Sequence, residues 1–180
     1  MSTKTFKAEE NADLEFTFPK NLGEYELDKQ GVKLPTKMKF VDIVIEREND
    51  ILLIEIKDPS HAMSDERQRK AYLKKLRNDE LITQELTPKA RDSYTYLHLM
   101  ERDTKPFVYI VLLGLDAFDT TIQQIALTGF KDRLLADIKE ESHEAWKRKH
   151  ISDCAVYSVA TWNKYFPDWP ITRLSATAAN

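Results

Sequence analysis

Three charged residues stand in stretches otherwise made for a protein interior. Glu55 and Lys57 lie two apart in Ile51-Leu-Leu-Ile-Glu-Ile-Lys57, and Asp42 lies between Val41 and Ile43. In a strand, successive side chains alternate between faces, so Glu55 and Lys57 project from the same one. An ionised group taken out of water costs several kcal/mol unless it is paired or bound to a cation, so such a strand keeps these charges for a reason. Two carboxylates and an ammonium on one sheet face suit a hard divalent cation held through oxygen, with an amine beside it. Mg²⁺ suits the set best, with Mn²⁺ as a substitute, because it takes few carboxylates and fills its octahedron with water and phosphate oxygens. Phosphodiester hydrolysis is the chemistry that follows. The cation polarises the phosphate and the attacking water, while Lys57 orients that water or stabilises the developing charge.

The elements that must position these groups are legible around them. Lys39–Glu46 and Ile51–Lys57 are rich in β-branched residues and separated by Arg47-Glu-Asn-Asp50, which predicts a β-hairpin. If the turn centres on Glu48 and Asn49, paired numbers sum to 97 and Asp42 lies opposite Glu55. Their Cβ atoms are then roughly 5 Å apart, within reach of one metal ion. A turn centred on Asn49 and Asp50 puts Asp42 opposite Lys57 instead, with Glu55 on the diagonal. Both registers keep the three groups on one face, and the one-residue slip between them does not.

Asp58-Pro59-Ser60 stops the second strand, and Ser64-Asp-Glu66 opens a helix reaching about Ile82. Thr87-Pro88 starts a second helix. Phe107–Leu113 is apolar on both faces, as a strand covered on both sides would be, and the helical crossover makes it parallel to Ile51–Lys57. A third helix spans Phe130–Lys149 with Phe130, Leu134, Ile138 and Ala145 inward, and Cys154–Thr161 is the last strand. Before Pro35 the pattern is weaker: Phe16–Phe18 and Glu24–Asp28 alternate like short strands, and Lys7–Leu14 would make a brief helix. The order predicts an α/β sandwich, a central mixed β-sheet flanked by helices, in one domain over residues 1–174, with a flexible polar tail at 175–180.

Asp42, twelve residues, then Glu55-Ile56-Lys57, on hairpin strands followed by a helix and a buried strand, resembles the PD-(D/E)XK nuclease superfamily, whose fold is restriction-endonuclease-like. The resemblance covers about Lys37 to Leu115, and Val41 stands where the family name has proline. It implies Asp42 and Glu55 as metal ligands, Lys57 as the catalytic lysine, and a Mg²⁺-dependent endonuclease that leaves a 5′ phosphate and a 3′ hydroxyl. DNA is implied in preference to RNA, and a homodimer or a protein partner is common in that family. Many members add an upstream glutamate; Glu24 and Glu26 are the nearest candidates, ahead of Glu9 and Glu10. The alternative is a catalytically inactive module of the same fold that binds nucleic acid or a protein.

Six of the 27 basic residues lie between Arg67 and Arg77 without an intervening acid, and Arg67, Lys70, Lys74 and Arg77 share one side at helical spacing. A phosphate backbone would lie along that stripe, against the plainer reading of a solvated helix face. Gln68 falls where some nucleases of this class place a helix residue near the lysine, and His61, just past the strand, could reach the site or a phosphate, against the plainer reading of a loop residue. The other histidines, His98, His143 and His150, lack ligand spacing for zinc. Trp162, Tyr165, Phe166 and Trp169 are suited to stacking on bases, but beside Pro167 and Pro170 they read as a segment packed on the core. Asp137-Ile138-Lys139 repeats the acid-x-lysine spelling on the polar side of a helix and reads as surface.

Composition bounds these readings. The 180 residues carry 27 Lys and Arg against 30 Asp and Glu, a net charge of -3, which excludes a globally basic coat and leaves room for a local basic face. The single cysteine, Cys154, can form neither an internal disulfide nor a cysteine zinc cluster and points to a reducing compartment. The first residues lack the apolar core of a signal peptide, and Phe107–Leu115 is too short to cross a bilayer. A cytoplasmic protein without a membrane partner is the expectation.

Overall fold

The computed structural model describes residues 3–8, 11–19, 23–25, 35, 37–140, 147 and 150–177. In chain order the elements are β1 (Thr3–Phe6), β2 (Leu14–Pro19), β3 (Gly23–Tyr25), β4 (Ile43–Glu46), β5 (Ile51–Lys57) and α1 (Glu66–Arg77). A π-helical turn (Ile82–Leu86) leads into α2 (Thr87–Leu99), then β6 (Phe107–Leu113), α3 (Thr120–Leu127) and α4 (Phe130–Glu140). The chain closes with β7 (Asp153–Ser158), α5 (Val159–Tyr165), β8 (Ile171–Arg173) and α6 (Leu174–Thr177).

The architecture is α/β, with a mixed sheet in the order β3-β4-β5-β6-β7 and a second, antiparallel sheet β1-β2-β8. β4 and β5 form the expected hairpin, and the helical crossover sets β6 parallel to β5, from Ile51 opposite Phe107 to Lys57 opposite Leu113. Two apolar layers follow from side-chain alternation. Val44, Leu53, Val111 and Leu113 face Leu86, Ala90, Leu97, Leu134 and Ile138 of the helices. Ile43, Leu52, Ile54, Ile110 and Leu112 face Phe16, Phe18 and Trp162 on the other side. β5 and β6 are therefore covered on both faces, which is why they read as continuous apolar runs.

Several boundaries differ from the sequence expectation. The helix opened by the Asp65–Gln68 capping box ends at Arg77, not Ile82, because Asp79 takes a positive φ of 58°. Its carboxylate meets Arg133 Nε at 2.8 Å. The strand expected to run to Thr161 stops at Ser158, where Ser158 and Thr161 cap each other and start α5. A helix at 120–127, begun by the Asp119 side chain on the Ile122 amide, has no counterpart in the expectation. No helix occurs among the described residues of 7–14, and Leu14 already belongs to β2. The α4 helix is described to Glu140; its expected continuation to Lys149 lies outside the described residues, apart from Lys147, which is not helical. Ser175, expected in a loose tail, donates from its amide and its hydroxyl to Asp13 at 2.8 and 2.7 Å. No helix among the described residues is long and apolar enough to cross a membrane.

Candidate active site

The hairpin register decides the geometry of the carboxylates. Ile43 pairs with Ile54, so paired numbers sum to 97, and Asp42 extends the ladder to the position opposite Glu55. Ile43 and Ile54 belong to the layer with Phe16, so their neighbours Asp42 and Glu55 turn to the helical side. There Glu55 is fully buried, with 0% exposure. Asp42, the residue just before β4, uses its side chain in place of a ladder bond: Oδ2 accepts from the Ile56 amide at 2.7 Å.

The helical layer adds two groups that sequence reasoning missed. Lys89, in the first turn of α2, donates from Nζ to both Glu55 oxygens at 2.7 and 2.8 Å, with Asp42 Oδ1 at 3.7 Å. Glu85, in the π-helical turn, takes Lys57 Nζ at 2.8 Å and Lys75 at 3.0 Å, while Lys57 also lies 3.2 Å from Glu55. The only signal available was that Glu85 and Lys89 stand four apart, hence on one side, where a helix must recross the strand. Three carboxylates and three ammonium groups therefore interlock: Asp42, Glu55 and Glu85 with Lys57, Lys75 and Lys89. The cluster is salt-bridged around a buried Glu55, while the side chains of Asp42, Lys57 and Lys89 keep about a fifth of their surface exposed and that of Lys75 about half.

Burial first, and then the Asp42 charge, push the Glu55 carboxyl up to about 7 against the pull of Lys89 and Lys57. For Lys57, burial favours loss of the proton, but Glu55 and Glu85 outweigh it and hold the ammonium above its ordinary value. Glu85 is lowered: burial opposes its charge, and the bonds from Lys57 and Lys75 prevail.

A cavity of about 410 Å³ opens on the cluster, lined by Asp42, Glu55, Lys57, Asp58, His61 and Lys89 and walled by Asn11–Leu14. His61 stands on this wall with Nε2 2.7 Å from the Asn11 carbonyl, tying the loop before β2 to the end of β5. Beyond Lys57 a second cavity, of about 340 Å³, is lined by Gln68, Tyr72, Lys75 and Glu85. Gln68 thus reaches the neighbourhood of Lys57, while its carbonyl oxygen accepts from the Asp65 amide at 2.8 Å. Arg67, Lys70, Lys74 and Arg77 are exposed on α1, and none lines either cavity. Lys70 bonds Glu66 at 2.6 Å, and all four residues of the stripe are exposed to solvent. Glu24 pairs through its backbone with Ile45, three residues along β4 from Asp42, and its side chain and all of Glu26 lie outside the described residues. Trp162 is buried against Phe16 and Phe166, and Phe166 stacks with Trp169, which makes these rings core and leaves Tyr165 exposed.

The donor set bears on a metal ion directly. No group of three or more Asp, Glu, His or Cys residues able to hold one occurs among the described residues. Two carboxylates facing one cationic centre do occur, and Lys89 Nζ, within 3.7 Å of both, marks a place where a cation is favourable. That set fits a Mg²⁺ ion that keeps most of its ligands as water and substrate oxygens, and does not fit a closed zinc site. Comparison of the chain with protein-family models, curated proteins and solved structures finds no match.

Proposed function

We propose that the chain is a Mg²⁺-dependent endonuclease of the PD-(D/E)XK kind, on a restriction-endonuclease-like fold, hydrolysing phosphodiester bonds in DNA. The observation that carries this reading is the buried Glu55 at the end of a central strand, opposite Asp42 and beside Lys57, on the floor of an open cavity. A chain that keeps an ionisable pair there carries a cost of several kcal/mol that stability alone does not require.

Asp42 and Glu55 would hold the ion. When bound, Mg²⁺ would supply Lewis-acid polarisation of the phosphate. Lys57, kept charged by Glu55 and Glu85, is the wrong protonation state for a base and the right one for a donor to a phosphate oxygen on which charge develops. Glu85 acts through Lys57 by fixing where that ammonium points.

The test is incubation of the purified protein with plasmid, linear and single-stranded DNA and with RNA, in Mg²⁺, Mn²⁺ or EDTA. Cleavage of DNA in Mg²⁺, abolished by EDTA and lowered about 10²-fold or more by Asp42→Ala and by Lys57→Ala, is the expected result. A wild type that cleaves nothing, or variants that cleave as well as wild type, removes the catalytic assignment. Binding without cleavage would instead support the inactive module.

A further inference from the structure

Lys57 and Lys89 both touch Glu55, yet their settings differ. Lys57 has a second acceptor in Glu85, so it keeps a partner if Glu55 is engaged elsewhere. Lys89 pairs with Glu55 and Asp42, the two carboxylates that would hold the ion. Its ammonium lies 2.7 and 2.8 Å from the Glu55 oxygens. A divalent ion would stand about 2.0–2.6 Å from those same oxygens, so the two cannot share the place. The lysine also has somewhere to go. Its side chain is 21% exposed on the wall of the cavity of about 410 Å³, and its unbranched stem can retract while buried Thr87 and Ala90 keep α2 seated.

We infer that Lys89 is a built-in competitor of the divalent cation: its ammonium holds the position between Asp42 and Glu55 in the metal-free protein and must leave for an ion to bind. The inference rests on the metal-dependent reading above and deepens it, adding a residue that sets metal affinity from outside the Asp42–Glu55–Lys57 set. The competition costs the ion affinity by the fraction of time that the position is free. It also keeps the two carboxylates neutralised when metal is scarce, so the site stays folded without it. Because linkage is reciprocal, an ion that displaces Lys89 must raise the solvent exposure of its amine.

Two measurements test this, and neither depends on nuclease activity. Mn²⁺ is titrated calorimetrically into wild type, Lys89→Met and Lys75→Met. The last removes a nearby positive charge that contacts Glu85 and not Glu55. Lys89→Met should bind Mn²⁺ about tenfold tighter or more, the factor expected if the ammonium fills the position nine-tenths of the time, and Lys75→Met should change it much less. In wild type, acetylation of Lys89 by acetic anhydride, followed by mass spectrometry, should speed up on adding Mn²⁺ while Lys70 is unaffected. This arm holds even if Lys89→Met fails to fold. If Mn²⁺ binds wild type but Lys89 labelling does not change, or Lys89→Met binds no tighter than Lys75→Met, the competition is wrong and the metal site stands. If Mn²⁺ binds none of the proteins, the metal site falls and the competition with it.

Discussion

Glu55 concentrates the opposing forces in this molecule. Burial and Asp42 favour its neutral form, two ammonium groups favour its anion, and the balance leaves it near 7. A carboxyl whose value is raised on folding contributes stability that is whole below its unfolded value and lost as pH rises through the folded one. In EDTA, Glu55 should thus lower the melting temperature between about pH 5 and pH 8, the full span corresponding to roughly 3 kcal/mol. His150, held below its ordinary value by burial, pulls the other way, so the readout is the difference between proteins. Glu55→Gln should show a flatter loss than wild type over that range by calorimetry; parallel curves would mean that Glu55 does not titrate there. Asp42, Glu55 and Lys57 were legible because charge at alternating positions in apolar strands is conspicuous. Lys89 and Glu85 were not, because a charged residue at the start of a helix looks like any other exposed helix residue until the helix is docked.

Among the elements, the hairpin and the crossover carry the site, and their junction is Gly114. Its amide donates to the Lys57 carbonyl at 2.8 Å as β6 ends beside β5. A Cβ on Gly114 would lie 2.2 Å from Asp58 Oδ1 and 3.1 Å from Arg173 Nη2. Asp58 has little freedom to yield, since Arg173 grips its two oxygens at 2.9 and 3.0 Å. Gly114→Ala should therefore cost about 1–3 kcal/mol in denaturant unfolding. An unchanged midpoint would show that the carboxylate relaxes freely. The hairpin register was open between two alternatives in the sequence, and pairing of Ile43 with Ile54 selected the one that sets the carboxylates opposite each other. The end of α1 was misjudged because local propensity continues past Arg77 while Asp79, at φ 58° and bonded to Arg133 of α4, reverses the chain.

Across the whole molecule, Arg173 fastens β8 and the segment before β2 to the ends of β5 and β6. From β8 it binds Asp13 beside β2, Asp58 after β5 and Asp116 after β6, at 2.9, 2.9 and 2.6 Å. Replacement by methionine leaves three carboxylates without their common partner, two of them largely buried. Arg173→Met should lose about 3 kcal/mol or more and expose the segment after Tyr165 to limited proteolysis. Wild-type resistance in that variant would deny the fastening role. Asp13, lowered because bonds from Ser175 and Arg173 overcome its burial, adds stability that is present above its unfolded value and disappears as pH falls through the folded one.

What sequence alone could establish was local and periodic. Alternation in Ile51–Lys57 put Glu55 and Lys57 on one face, the apolar run at Phe107–Leu113 announced a strand covered on both sides, and the intervening helices required that strand to run parallel. Those features follow from side-chain direction and from burying apolar surface, which neighbours in the chain largely determine. Tertiary structure alone decided that the carboxylates already hold an ammonium from a helix more than thirty residues on, and that the basic stripe of α1 lines neither cavity beside them. Charges find partners by proximity in space, and that proximity exists only once α2 has packed against β5.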